Sequence, residues 1–234
     1  MEDAMPQSDI GTWLRFTLQQ MAAESYLDGI ALSNSDAIIQ RLKLGNNNPL
    51  LNSPDIPILS GATRFVDFSG VPGASQVAGS AQAFVARYQI IDHHANDATG
   101  FSATLMRDNQ TGEYTLSFRS TEFKNQVDCG DYERDGANGL LLRGADGEIV
   151  TSGFAFAQLA AMEDYFRDLK EGRMSDGSLD LLLRQHLQNG GKLNVTGYSL
   201  GAHLATIFTE MHATEVIHGK KKVSGTIVFA DGMN

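Results

Sequence analysis

A glycine-flanked serine lies between two segments of different periodicity, and this arrangement limits the folds that the chain can adopt. Residues 197–201 (GYSLG) follow an apolar, strand-like run at 192–197, and a second such run occupies 223–230. In the intervening segment, the apolar residues have the spacing of one face of a helix. They are Leu200, Leu204, Ile207, Phe208 and Met211. A strand, a sharp turn, a helix and another strand in this order predict an α/β fold with a parallel sheet.

The setting of the serine, rather than the G-x-S-x-G pattern itself, indicates chemistry. Between a strand and a helix, such a serine occupies a strained turn that exposes its hydroxyl. Glycines two residues before and after it are required where backbone segments come so close that a Cβ would clash. The first N–H groups of the helix point to the same place and are suited to stabilising an oxyanion. The alternatives are an ordinary tight βα turn, or a phosphate-binding loop lacking the usual lysine.

The rest of the chain alternates between recognisable elements and irregular stretches. Apolar spacing predicts helices around residues 10–21 and 36–44, and a Gly-, Ser- and Pro-rich irregular surface segment follows to about residue 79. Residues 82–91, 101–106 and 114–120 are predicted as strands, with a hairpin joining the last two. The polar, acidic stretch 124–148 is long for a connection, which is typical of a cover or binding loop. Apolar residues with helical spacing then follow at Leu159, Met162, Phe166 and Leu169, which predicts a further helix.

Composition narrows the class of protein and of partner. With 234 residues, 42% apolar and 20% charged, the chain is long and apolar enough to bury a core. A net charge of -10 argues against nucleic acid and anionic membranes as partners. The single cysteine, Cys129, cannot form an internal disulfide. No stretch resembles a secretory leader or a transmembrane segment, so we expect a soluble chain of unknown compartment, with secretion through a signal elsewhere left open.

Three segments together resemble a known family. Residues 195–205 (VTGYSLGAHLA) look like the nucleophile segment of class 3 lipases, which have the α/β-hydrolase fold. Residues 116–122 (LSFRSTE) are similar to that family's F-R-G-[ST] segment, and residues 152–154 (SGF) to the start of the helix before the nucleophile strand. The resemblance implies a mostly parallel sheet with flanking helices in a hydrolase core at 81–234. Residues 1–80 match no known segment and are expected to form a helical and irregular segment packed on that core.

The resemblance also implies a set of site residues. Ser199 matches the nucleophile, and the N–H groups of Leu200 and Thr121 match the oxyanion-hole donors. Ser120 stands where the family usually has glycine, while Arg119 matches a family arginine that we interpret as structural. Residues 124–148 lie where these lipases carry a lid, with Leu140, Leu141 and Leu142 as its apolar edge. A solvated surface loop is the alternative for that stretch.

A base for the serine is missing from the expected part of the sequence. In this fold the acid and the histidine follow the nucleophile, but His203 and His212 lie on the helix leading away from Ser199, and His218 lies near its far end. Asp231 is a possible acid. We therefore expect the acid and histidine further on, in a longer hydrolase of which this chain is the N-terminal part. His93 and His94 are interpreted as a polar turn rather than as metal ligands.

Together these features predict a serine carboxylic ester hydrolase that acts on lipid esters at a lipid–water interface. Triacylglycerol lipase and phospholipase A1 are both compatible with them, and the reaction would proceed through an acyl-enzyme at Ser199. No cofactor and no metal are expected, although calcium could bind elsewhere in a longer protein. The fragment alone is expected to be inactive without a histidine. The alternatives are a non-catalytic lipid-binding or interaction module on a lipase scaffold, and a hydrolase of short-chain esters or polyesters.

Overall fold

The computed structural model describes residues 7–45, 65, 79–121, 134, 144–212, 216–217, 220–221 and 223–229. The helices within these residues are α1 (Gln7–Ala23), α2 (Ser35–Leu44), α3 (Ala81–Arg87), α4 (Gly144–Ser152), α5 (Phe156–Glu171), α6 (Leu182–Gln188) and α7 (Leu200–His212). The strands are β1 (Tyr88–His94), β2 (Ala103–Asp108), β3 (Tyr114–Phe118), β4 (Leu193–Tyr198), β5 (Val216–Ile217), β6 (Lys220–Lys221) and β7 (Val223–Phe229).

A five-stranded sheet in the order β1-β2-β3-β4-β7 organises the fold. The first three strands pair in antiparallel fashion, whereas β3, β4 and β7 are parallel. The predicted α/β class is confirmed, and the parallel half of the sheet is the half that leads into residues 197–201. Strands β5 and β6 form a separate two-stranded ribbon.

The predicted hairpin is confirmed as the pair β2 and β3. Its connection starts at Asp108, whose carboxylate accepts a hydrogen bond from the N–H of Gln110 at 2.8 Å. Gly112 then has a positive φ of 75°, a conformation that favours glycine. These residues stabilise the turn that joins β2 and β3.

The predicted strand at 82–91 is wrong over its first half, which forms α3. The hydroxyl of Ser80 caps this helix by accepting a hydrogen bond from the N–H of Ala83 at 3.0 Å. Burial then decides the outcome, because Phe84 is fully covered and its ring meets that of Phe65 edge-to-face at 5.1 Å. The strand β1 begins at Tyr88 and contains His93 and His94, so the predicted polar turn at these histidines is also wrong.

Helices cover both faces of the sheet, as a sheet with apolar side chains on both faces requires. On one face, α5, α6 and α7 pack on a cluster that includes Leu105, Leu116, Phe118, Phe166 and Phe208. On the other face, α1, α2 and α3 pack on a cluster that includes Leu27, Leu42, Phe84, Ile90 and Met106. The predicted helices at 10–21, 36–44 and 159–169 are confirmed by α1, α2 and α5.

Several predicted features lie outside the described residues. They include Asp231, His218, Cys129 and the leucines 140–142 of the predicted lid. The last part of that predicted segment, 144–148, forms the beginning of α4. Within the part of the chain that is described, no helix is both long and apolar enough to cross a membrane.

Candidate active site

Ser199 alone connects strand β4 to helix α7, since the strand ends at Tyr198 and the helix begins at Leu200. Its φ is 49°, and it is the one non-glycine residue with a positive φ among the described residues. This left-handed conformation costs an L-residue of order 1 kcal/mol or more and tends to occur at functional sites. The residue is also exposed. The turn therefore holds a serine in a strained conformation with its side chain accessible.

The two flanking glycines are required by close backbone contacts, as the sequence predicts. A Cβ on Gly197 would lie 2.7 Å from the nitrogen of Ala202 and closer still to the backbone of Gly201. A Cβ on Gly201 would lie 2.7 Å from the carbonyl oxygen of Arg119 and would collide with the backbone of Phe118. The helix, the turn and the end of β3 therefore pack together through their backbones.

Helix α7 points its amino terminus at the serine. The carbonyl oxygen of Ser199 accepts hydrogen bonds from the N–H groups of Ala202 at 2.9 Å and His203 at 3.2 Å. Leu200 is the first residue of the helix, so its N–H has no intrahelical acceptor. The side chain of Leu200 is buried against Ala145 and Ala155. This packing fixes the first turn of the helix.

The loop after β3 leaves the sheet beside this turn, because Phe118 pairs with Gly197 in the parallel register of β3 and β4. Within the loop, the hydroxyl of Thr121 donates to the carboxylate of Asp146 on α4, with distances of 3.2 and 3.3 Å to its two oxygens. Burial raises the pKa of Asp146, an effect that the hydrogen bond from Thr121 opposes. Helix α4 thus contacts both Thr121 and Leu200, the two residues predicted to donate to an oxyanion.

The two residues before Thr121 are held by the end of the N-terminal helix. The N–H of Ser120 donates to one carboxylate oxygen of Glu24 at 3.1 Å, and its hydroxyl donates to the other at 2.5 Å. Arg119 is buried, donates to the carbonyl oxygen of Glu24 at 3.2 Å, and stacks its guanidinium 3.9 Å from the ring of Tyr26. Sequence reasoning missed Glu24, because a single acidic residue at a helix end carries no local signal of burial.

The described histidines downstream of the serine make no hydrogen bond to its hydroxyl. His212 is buried, lies 2.9 Å from the carboxylate of Glu163, and packs its ring against Phe208 with a centroid distance of 4.4 Å. His212 thus packs between α7 and α5, since its ring also lies 4.9 Å from that of Phe166. His203 lies one helical turn after the serine, and burial lowers the pKa of its imidazole. Among the described residues, no side chain hydrogen-bonds to the hydroxyl of Ser199.

Large apolar side chains are exposed on the segments that pack against Leu200, next to Ile149 and Ala155. Phe154 and Phe156 are 44% and 59% exposed, with ring centroids 5.7 Å apart. The ring of Phe154 also lies 6.2 Å from that of His203. Val150, on α4, is 65% exposed. Leaving large apolar groups in water is unfavourable, and an exposed apolar patch commonly marks an interaction surface.

Two cavities of about 490 and 650 Å³ lie elsewhere, at the carboxyl end of β1. They share His94, Asp97 and Ser175 among their lining residues. Ser199 lines neither of them. Within the described part of the chain, no group of three or more His, Cys, Asp or Glu residues is placed to hold a metal ion.

Comparison with protein families finds no match, and comparison with curated proteins finds none. Among solved structures, the chain is similar to the triacylglyceride lipase of Rhizomucor miehei, with 14% sequence identity and a TM-score of 0.42. The match covers 97% of this chain, which spans 63% of the length of that lipase chain. Similarity at this level leaves function to be argued from the residues of this chain itself.

Proposed function

We propose that this chain carries the nucleophile and oxyanion-hole half of a serine carboxylic ester hydrolase. The observation that supports this most is the backbone of Ser199, an exposed serine at a φ of 49° between a strand and a helix. A protein without chemistry at this position would lower its free energy by placing glycine there.

In the proposed reaction, Ser199 Oγ attacks the carbonyl carbon of an ester and its proton passes to a base. The carbonyl oxygen becomes an oxyanion that accepts hydrogen bonds from the N–H groups of Leu200 and Thr121. The alkoxide then leaves with a proton, and water later releases the acyl group from the serine. We propose that the base lies outside the described residues. Asp231 remains the candidate acid.

We further propose lipid esters, either triacylglycerols or phospholipids, as the substrate class. The exposed rings of Phe154 and Phe156 support this, because the ring of Phe154 lies 6.2 Å from that of His203 on α7 and both rings offer apolar surface to an acyl chain. An acyl chain loses about 0.8 kcal/mol of unfavourable hydration for each methylene that it buries. Short esters would gain little from the same surface.

The test of the nucleophile is covalent labelling with a fluorophosphonate in the full-length product that contains this chain. We expect labelling of the wild type and none of Ser199→Ala. The matched control is Ser33→Ala, since Ser33 is another exposed serine and lies far from residue 199 in the sequence. Persistent labelling of Ser199→Ala would overturn the assignment.

The test of the substrate class is a comparison of acyl chain lengths. In a Phe154→Ser, Phe156→Ser double variant, kcat/KM for long-chain esters should fall by about tenfold relative to short-chain esters. Leu179→Ser serves as the control, because Leu179 is 77% exposed but lies in the connection between α5 and α6. An equal loss for all chain lengths would favour a short-chain esterase.

A non-catalytic lipid-binding module is the second candidate. It is favoured by the lack of a hydrogen bond between Ser199 and any described histidine. Such a module would bind lipid vesicles through the same apolar surface and would fail to react with fluorophosphonate. Labelling and vesicle binding therefore separate the two functions.

A further inference from the structure

The end of the N-terminal helix is hydrogen-bonded to the loop that carries Thr121. We infer that Glu24 is a positioning residue, which anchors Ser120 and thereby orients the N–H of Thr121 toward the oxyanion. The inference rests on the proposed function, since it assigns Glu24 a task only if Thr121 acts as a donor. It also gives residues 1–80, which resemble no known family, a part in the site.

Glu24 directly follows α1 and is 6% exposed. Its carboxylate accepts three strong contacts, from the N–H of Ser120 at 3.1 Å, the hydroxyl of Ser120 at 2.5 Å and the side-chain amide of Gln20 at 2.7 Å. Burial raises the pKa of Glu24, while the hydrogen bonds from Ser120 and the charge of Arg119 oppose that rise. A buried carboxyl group is tolerated only where such partners are present.

The same helix end also holds the two residues before Ser120. The side-chain amide of Gln20 donates to the carbonyl oxygen of Phe118 at 2.9 Å, in addition to its bond to Glu24. Arg119 donates to the carbonyl oxygen of Glu24 at 3.2 Å. Three consecutive residues, 118–120, are therefore tied to the end of the N-terminal helix over a sequence separation of more than 90 residues.

The anchored residue is the one that departs from the family pattern. Where the resembled family has a glycine, Ser120 has a side chain whose hydroxyl and N–H both bind one carboxylate. Both bonds restrict rotation about the backbone of Ser120, and the peptide group that follows carries the N–H of Thr121. An oxyanion donor must lie about 2.7 to 3.1 Å from the oxyanion. A misplacement of about 1 Å can reduce the rate by about 100-fold.

The experiment measures kcat and KM for a soluble ester, together with the rate of fluorophosphonate labelling, in the full-length product. Glu24→Ala should lower kcat and the labelling rate by about 10- to 100-fold, with KM changed by less than about twofold, because only transition-state binding is affected. Glu24→Gln keeps one acceptor oxygen and should recover part of this loss.

A matched control distinguishes a positioning role of Glu24 from a role in stability alone. Asp92 is also a buried carboxylate, held by the hydroxyl of Tyr165 at 2.9 Å and by Ser175 at 2.7 and 3.0 Å, but it lies on β1, two strands from β3. Asp92→Asn should lower the free energy of unfolding while leaving kcat within about twofold. An equal loss of kcat in this control would assign the effect of Glu24 to stability and overturn the inference.

A second set of variants applies if Glu24→Ala fails to fold. Ser120→Ala removes only the hydroxyl contact and should slow labelling by about three- to tenfold. Ser120→Gly removes the same contact and also makes the backbone at residue 120 more flexible, which should weaken the coupling of the loop to Glu24. In the Ser120→Gly background, Glu24→Gln should cost much less than it does in the wild type. Labelling at the wild-type rate in a folded Glu24→Ala or Ser120→Ala protein would overturn the inference alone. A wild type that does not label would overturn the proposed function instead.

Discussion

Two polar sites lie at the same end of the sheet, and their surroundings differ. One is the β1 cluster, formed by Asp28, His93 and Thr104 near the carboxyl end of β1, and the other is Ser199 at the carboxyl end of β4. Near the end of β1, the hydroxyl of Thr104 is fully buried and lies 3.0 Å from Nδ1 of His93. The other ring nitrogen of His93 lies 3.5 Å from a carboxylate oxygen of Asp28. At the end of β4, the hydroxyl of Ser199 is exposed, without a described hydrogen-bond partner, on a strained backbone.

The contrast shows that residue types alone do not define a nucleophile. The β1 cluster brings a hydroxyl, an imidazole and a carboxylate together, but its hydroxyl cannot reach a substrate because Thr104 is 0% exposed. The β4 turn has the accessible hydroxyl and the free helix N–H but lacks the base among the described residues. Access and backbone strain, rather than proximity of suitable groups, distinguish the candidate site.

The largest expected change in the free energy of unfolding comes from the close backbone packing at the serine turn. Gly201→Ala should lower the free energy of unfolding by about 3 kcal/mol, because its Cβ would collide with the backbone of Phe118 and Arg119. Gly11→Ala on α1 is the control: a Cβ there meets nothing within 4 Å, and alanine should stabilise the helix by about 1 kcal/mol. Urea denaturation measures both, and a neutral Gly201→Ala would contradict the close packing of the turn.

The β1 cluster is expected to contribute to stability and not to chemistry. Thr104→Val keeps the shape but leaves Nδ1 of His93 without its partner, which should cost about 1 to 3 kcal/mol of unfolding free energy. Fluorophosphonate labelling should stay unchanged. Thr104→Ser retains the hydroxyl and should retain the tautomer of His93, as measured by NMR. Loss of labelling in a folded Thr104→Val protein would assign chemistry to the β1 cluster.

Relief of backbone strain at Ser199 should increase stability, by less than Gly201→Ala and Thr104→Val decrease it. Ser199→Gly should raise the free energy of unfolding by about 1 kcal/mol, because glycine adopts a positive φ without penalty. For a chain of this size, that corresponds to an increase in Tm of about 2 to 4 °C. Labelling should be lost at the same time. An unchanged or lower Tm would show that the hydroxyl itself stabilises the turn.

The smallest expected effect concerns acid stability at the β1 end. Asp97 is partly buried, which opposes ionisation, but hydrogen bonds from His94 and Thr99 lower its pKa from 3.8 to about 2. Since the folded-state pKa lies below the unfolded one, this stabilisation is present above pH 3.8 and is lost as the pH falls to about 2.

Asp97→Asn should therefore cost about 0.5 kcal/mol at neutral pH, because solvent screens the interactions of a partly exposed group. Denaturant titrations at a series of pH values measure the difference between variant and wild type. That difference should vanish near pH 2. A difference that persists at low pH would point to packing instead of charge.

Local patterns predicted the elements that are contiguous in sequence. The strand before Ser199, the helix after it, the two clashing glycines and the hairpin of β2 and β3 all follow from spacing within a dozen residues. The same reasoning failed at residues 82–87, where apolar and β-branched residues favoured a strand. There, the cap at Ser80 and the contact of Phe84 with Phe65 produced a helix instead.

The α/β class and the turn that exposes Ser199 could be predicted from local sequence, because a strained strand-to-helix turn needs particular residues at neighbouring positions. The groups that surround this turn are set by tertiary packing. Asp146 meets Thr121 over 25 residues of sequence, and Glu24 meets Ser120 over 96. A carboxylate becomes buried and binds such a partner only when distant segments pack over it, and no local pattern encodes that packing.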